Sequence, residues 1–237
     1  MEYLIPFSII ALAAAIHASF QLSISSLTLM SGHALGKRHS QGRLLKLLGG
    51  FLFGALSMTG LLFVGLLYAF EFLLDGGAIP PIVWAALCGT LFGLGVAVWM
   101  FYYRKGKGTL LWIPRGMAQY LATRSKRTKS TAEAYALGLT SVCGELLFVI
   151  APLGVAVLVS LTLAPMLQVA ALLLYVAISL SSLALVAALV ASGHKISRIQ
   201  RWREDNKAFL QFVAGTSLLV LGFYLYVNEV LALGVLQ

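Results

Sequence analysis

Long apolar runs are the feature of this sequence that most restricts its fold. Six segments of about 20 residues or more are nearly free of charged side chains, and each could cross roughly 30 Å of hydrocarbon as an α-helix. They cover residues 4–31, 47–74, 80–103, 132–161, 164–192 and 208–234. Hydrophobic residues make up 60% of the chain and charged residues only 11%, too few to cover a soluble surface. The sequence therefore predicts an all-α integral membrane protein with six transmembrane helices in a lipid bilayer.

The distribution of Lys and Arg predicts the orientation of these helices. Basic residues concentrate in the connections after the first, third and fifth runs, whereas the opposite connections, DGGAIPP and LTLAP, have none. Because short loops rich in Lys and Arg stay cytoplasmic, we expect a multi-pass protein of the cell membrane with both termini outside. The net charge of +9 follows from this topology. We expect no nucleic-acid partner, since the basic residues form no recognisable binding module.

The six runs divide into two sets of three, separated by a long basic connection. We predict a first three-helix repeat at residues 1–108, a basic amphipathic cytoplasmic connection at 109–130, and a second three-helix repeat at 131–237. The connection is expected to lie on the membrane surface or else to serve as a cytosolic gate or partner site. Because each set has an odd number of spans, the two sets would form an inverted repeat. Transporters with inverted repeats often hold their substrate where the halves meet, near the membrane midplane.

A short sequence match supports this repeat and marks the candidate substrate-binding residues. Three polar pairs align when IHASFQLSI is set against TSVCGELLF: His17 with Ser141, Ser19 with Cys143, and Gln21 with Glu145. These side chains fall at corresponding depths in the first and fourth runs. We therefore expect all six to line a polar site between the first and fourth helices.

Glu145 is the most informative residue of this set. It lies 16 residues beyond Lys129, about 24 Å along a helix, so its carboxylate cannot easily reach either membrane surface. A carboxylate at that depth is costly and usually faces a partner, a proton path or a ligand. Glu145 is thus expected to supply charge or carry a coupling proton, or else to pair structurally with His17 or a Tyr.

The first run is polar on two sides. At about 100° per residue, His17 and Gln21 fall on one stripe of a helix, and Ser19 and Ser23 fall on nearly the opposite stripe. Neither stripe can face lipid without cost. The helix is therefore expected either to lie at the centre of the bundle or to be locally unwound around a cavity.

His17, Cys143 and Glu145 are also candidate metal ligands. Together they offer nitrogen, sulfur and carboxylate ligands, a mixture that suits zinc, cadmium or iron(II) better than calcium or magnesium. A divalent metal ion would then be the substrate, and no resident cofactor is expected. The three residues do not show the spacing of a known metal motif, so this assignment rests on chemistry alone.

With its polar first helix, the chain resembles the supergroup of 3+3 inverted-repeat membrane proteins that includes LysE-type exporters, related metal exporters and CcdA/DsbD-type thiol-disulfide transporters. The stretches that resemble it are GHALGKRHSQGRLLKLLGG, AYALGLTSVCGELL and NKAFLQFVAGTSLLVLGFYLYV. The resemblance covers nearly the whole chain and implies a LysE-like fold and a transport function.

The sequence also departs from these families. The thiol-disulfide transporters use a Cys in the first helix of each half, whereas here Ser19 stands where a partner for Cys143 is expected, and Cys88 falls in the third run. The Pro-Gly-Pro and Asn-Pro elements usual in LysE-type amino-acid exporters are absent from the sequence.

These observations favour a transporter or exporter of a small polar or cationic substrate that works by alternating access around the first and fourth helices. Two alternatives remain open: a non-transporting membrane scaffold or assembly subunit, and a CcdA-like thiol-disulfide transporter. An enzyme is not expected, because the sequence has no HExxH, no CxxC and no nucleophile with a base at helical spacing. The protein could form a homo-oligomer.

Overall fold

The computed structural model describes residues 3–20, 22–35, 41–101 and 115–231. Within these ranges the chain is helical and has no β-strand. The helices in chain order are α1 (Leu4–Ser19), α2 (Leu22–Leu35), α3 (Gln41–Leu74), α4 (Pro81–Phe101), α5 (Arg115–Arg127), α6 (Thr131–Leu161), α7 (Pro165–Ser179), α8 (Ser181–Ala191), α9 (Ile196–Asp205) and α10 (Lys207–Leu225), which continues into a π-helical turn (Tyr226–Leu231).

Four of the described helices, α3, α4, α6 and α10 with its π-helical turn, are long and apolar enough to cross a membrane. Two bent pairs bring the number to six if each pair is counted as one span: α1 with α2, bent by 44°, and α7 with α8, bent by 47°. The prediction of an all-helical chain with membrane-spanning helices is thus confirmed, with four to six candidate spans.

Two of the predicted continuous runs are broken in the structure. The run at 4–31 divides after Ser19, because Phe20 adopts extended dihedral angles (φ −78°, ψ 145°) that end α1. The run at 164–192 divides at Leu180 (φ −92°, ψ 0°), where α7 ends and the chain bends by 47° into α8. Conversely, Pro152 lies inside α6 without ending it.

The central helix of the bundle is α6. Of its most apolar 18-residue window, 72% is buried inside the protein, compared with 28% for α4 and 33% for α10. It packs closely along α3, where Gly54 and Gly138 each lie directly against the backbone of the opposite helix and leave no space for a Cβ. The first residues of α6 are fixed by a capping box in which Ser130 and Glu133 bond each other's backbone N–H groups.

The ends of the bundle differ in the helices that cover them. At the end that carries the basic connections, called the basic end below, α5 and α9 both pack against α2. Within the predicted connection at 109–130, Met117 and Leu121 of α5 pack near Gly144, halfway along α6. Residues 109–114 of that predicted segment lie outside the described ranges.

Candidate functional site

The break between α1 and α2 is the centre of the candidate site. A broken helix leaves backbone C=O groups without partners at the end of its first half and N–H groups at the start of its second half. Within an apolar bundle each such group is costly unless another group bonds it. Side chains from other helices bond both ends of this break.

Glu145 of α6 binds the start of α2. Its Oε1 accepts a hydrogen bond of 2.7 Å from the backbone N–H of Ser23, and the N–H of Leu22 is also directed at the carboxylate. The Glu145 side chain is buried. A negative charge there also complements the positive end of the helix dipole of α2, an effect of up to about 2 kcal/mol at partly buried sites.

Ser182, in the first turn of α8, binds the other end of the break. Its hydroxyl donates to the carbonyl oxygen of Ala18 at 2.7 Å. Within α1 itself, the N–H of Phe20 bonds the carbonyl of His17 at 3.1 Å, and the Ser19 hydroxyl donates to the carbonyl of Ile16 at 2.6 Å. The second bent pair, α7 with α8, therefore supports the break in the first.

His17 connects the carboxylate with a buried tyrosine. Its Nδ1 hydrogen-bonds the hydroxyl of Tyr175 at 3.0 Å, and its Nε2 lies 4.0 Å from Oε2 of Glu145. Tyr175 is completely buried and packs against the ring of Phe63. Tyr175, His17 and Glu145 thus lie in a row inside the bundle, in which a hydrogen bond joins Tyr175 to His17 and a separation of 4.0 Å remains between His17 and Glu145.

Arg203 of α9 enters the same region from the basic end. Its guanidinium is buried and donates to the Ser25 hydroxyl of α2 at 2.9 Å. It also lies within electrostatic range of the Glu145 carboxylate. The positive charge of Arg203 and the positive end of α2 therefore both act on Glu145.

The structure brings together some of the predicted site residues and separates others. His17 and Glu145 meet at the break, and Ser19 lies beside it. Ser141 is buried one turn from Glu145, but its hydroxyl donates to the carbonyl of Gly138. Gln21 lies outside the described residues.

Cys143 does not join His17 and Glu145 as a third ligand. It is only half-buried and lies on the face of α6 that includes Leu147, whose side chain is 51% exposed. No group of three or more His, Cys, Asp or Glu side chains in the described ranges could hold a metal ion. Cys88 and Cys143 are both free thiols.

Sequence reasoning missed Tyr175, Ser182 and Arg203. Tyr175 is one aromatic residue in an apolar run, and Ser182 is one of three serines in the stretch SLSS, so neither stands out. Arg203 belongs to a basic connection that the charge pattern alone places at the membrane surface. The serine cluster SLSS, which interrupts the fifth apolar run, is the sequence signal that could have indicated Ser182.

Comparison with known proteins identifies no relative of this chain. No protein-family model matches it, and no curated protein and no solved structure is significantly similar to it.

Proposed function

We propose that this chain is a multi-pass membrane transporter that moves a small polar or cationic substrate by alternating access around the break between α1 and α2. One observation carries the proposal: a broken helix at the depth of Glu145 has both of its open ends bonded by side chains from other helices. Transporters use discontinuous helices of this kind because exposed backbone ends and half-helix dipoles can bind substrate and coupling ions.

The packing of the spans supports an inverted repeat of LysE-like architecture. If each bent pair is one span, the first span packs on the fifth and the fourth packs on the second. The first span also packs on the sixth, and the fourth span packs on the third in the same way. Two further contacts join spans at equivalent positions in the two sets: the first span packs on the fourth, and the third span packs on the sixth. Exchanging the first three spans with the last three leaves these pairs unchanged, as a two-fold axis in the membrane plane would require.

Glu145 is the coupling group in this proposal. When ionised, it bonds the N–H groups that open α2; when protonated, it loses the charge that matches the helix dipole. A polar group of the substrate could then bond those N–H groups in its place. His17 and Tyr175 provide the adjacent groups through which the proton could enter or leave.

A divalent cation remains the second substrate class. His17 and Glu145 would supply two ligands, and the remaining positions would be filled by water, because the described residues offer no third ligand of this kind. The positive charge of Arg203 nearby weakens this version relative to a neutral or zwitterionic substrate.

The first test is the thermal stability of the detergent-purified protein against a panel of amino acids and divalent cations, with Glu145→Gln in parallel. A ligand that binds the native state raises its apparent stability by mass action, by about 2.7 kcal/mol at 100 times its Kd. We expect one class of ligand to stabilise the wild type and not Glu145→Gln. The same ligand should then drive proton movement in liposomes that contain the wild type.

The alternative function is a scaffold or assembly subunit. It is supported by the hydrogen bonds that Glu145, His17 and Ser182 already make inside the protein, which would suffice for a purely structural role. It predicts that Glu145→Gln lowers stability and that no ligand in the panel changes it. The localisation proposed is the cell membrane, with the basic end in the cytoplasm and both termini outside.

A further inference from the structure

A cleft between α5 and α6 lies at the basic end, apart from the helix break. Its volume is about 170 Å³. Arg124 and Arg127 of α5 line it near its mouth, together with Glu133 at the start of α6. Ala136 and Thr140 line the part that extends about 10 Å further along α6, away from this end. The cleft therefore has a charged mouth and a weakly polar floor.

The cleft opens toward the lipid-facing side of the bundle. Ala136 is exposed and shares a face of α6 with Cys143 and the exposed Leu147. On the α5 side, Tyr120 is 45% exposed, whereas Leu121 next to it is buried against α2 and α6. A molecule that lies in the membrane could therefore reach the cleft from the side.

The mouth of the cleft carries two guanidinium groups and one carboxylate, and its net charge is positive. The guanidinium of Arg124 lies 5.7 Å from the ring centre of Tyr120, which restricts its position. The guanidinium of Arg127 has no hydrogen-bond or ion-pair partner in the part of the chain that the structure describes. The carboxylate of Glu133 accepts hydrogen bonds from the backbone N–H groups of Lys129 at 2.6 Å and Ser130 at 3.3 Å, and it also interacts electrostatically with Arg124, so it offsets part of the positive charge of the mouth.

We propose that this cleft binds the phosphate group of an anionic phospholipid. The two guanidinium groups match the geometry of phosphate oxygens, and the surface along Ala136 and Thr140 would contact the first carbons of an acyl chain. Basic pockets between membrane helices at the cytoplasmic side bind such headgroups. Free phosphate offers the same oxygens, but it would leave the floor of the cleft empty.

The test is a titration of the purified full chain with phosphatidylglycerol, followed by native mass spectrometry to count bound lipid. Each guanidinium near an anionic headgroup strengthens binding about fivefold, so Arg124→Gln/Arg127→Gln should weaken the first binding step roughly 25-fold. Arg198→Gln/Arg201→Gln removes the same charge from exposed positions on α9 and is the matched control, which should change binding less than about twofold.

Three further measurements make the outcome decisive. Ala136→Phe keeps every charge and fills the floor of the cleft, so it should also weaken phosphatidylglycerol binding. Phosphatidylcholine and inorganic phosphate should each bind much more weakly than phosphatidylglycerol to the wild type. If the α5 and α9 double variants lose phosphatidylglycerol affinity equally, the proposal is overturned in favour of diffuse electrostatic attraction. If inorganic phosphate displaces the lipid at equal concentration, the cleft is a site for free phosphate instead.

Discussion

Glu145 accepts a hydrogen bond from the Ser23 N–H and places a negative charge at the start of α2, and substitutions can separate the energies of these two contributions. Gln at this position keeps an oxygen that accepts the Ser23 N–H but removes the charge, whereas Leu removes the acceptor as well. We expect Glu145→Gln to lower the free energy of unfolding by about 1 kcal/mol and Glu145→Leu by about 2–4 kcal/mol, because an unbonded buried N–H costs more than a weaker bond.

Unfolding in mixed micelles, followed by tryptophan fluorescence, measures both values. Ser8→Ala is a suitable control, since that exposed hydroxyl bonds only the carbonyl of Leu4 within α1. Equal losses for the Gln and Leu variants would mean that Glu145 does not bond the start of α2.

A substitution at Tyr175 tests whether the row of Tyr175, His17 and Glu145 carries protons, and it leaves the packing of the ring unchanged. Tyr175→Phe removes the hydroxyl that bonds His17 Nδ1 and keeps the ring that packs on Phe63. We expect a loss of about 1 kcal/mol in stability, the usual worth of one such hydrogen bond. In liposomes, ligand-driven proton movement should slow while ligand binding, measured by thermal shift, persists. A variant that loses ligand binding instead would place Tyr175 in the binding site itself.

At the scale of helices, the contact between α3 and α6 depends on glycine. A Cβ at Gly54 would collide with the backbone of Tyr135, whereas a Cβ at Gly60 on the same helix would meet nothing within 4 Å. Backbone cannot move aside as a flexible side chain can. We therefore expect Gly54→Ala to destabilise the protein by about 1–3 kcal/mol, the usual range for overpacking.

Gly60→Ala is the matched control, and it should leave stability unchanged or raise it slightly, because Ala is the better helix former. The comparison uses the same unfolding assay. If the two variants behave alike, α3 and α6 are not in the close contact described.

The sequence predicted the spans well and the breaks poorly. Hydropathy and length determine where a helix can cross a membrane, so the bounds of α3 and α6 lie close to the predicted runs. Phe20 and Leu180, where helices break, are apolar residues with ordinary helix propensity, so no local signal marks them. The breaks are stabilised instead by distant side chains.

The same reason explains which site residues were predictable. Glu145 and His17 are ionisable residues in apolar runs, and the cost of placing them there marks them in any sequence. The bonds that complete the site join residues 158 positions apart for His17 and Tyr175, and 178 apart for Ser25 and Arg203. Such partners depend on how the helices pack, which periodicity does not contain. Cys143 lies apart from His17 and Glu145 because it is two residues from Glu145 and therefore faces nearly the opposite way on α6.

At the scale of the whole molecule, the two ends of the bundle differ in how open they are. A cavity of about 490 Å³ opens at the end opposite the basic end and reaches Ile9, Trp84 and Val159. At the basic end, Leu121 of α5 is buried between α2 and α6, close to Gly144. The bundle is thus open at one end and covered by α5 at the other, and in the transporter proposed above the open end would be the outer one.

This arrangement predicts how single cysteines react in proteoliposomes. In a variant without its two native cysteines, Ile9→Cys should react slowly with a small membrane-impermeant thiol reagent added on the side of the cavity, because Ile9 lines the cavity but is only 9% exposed. Leu121→Cys, which is buried under the same conditions, should stay unlabelled by reagent from the basic side. If the transported ligand then drives alternating access, its addition should slow the labelling of Ile9→Cys and speed that of Leu121→Cys. Labelling rates that do not respond to any ligand, or that change together, would argue against α5 as a moving cover and in favour of a static scaffold.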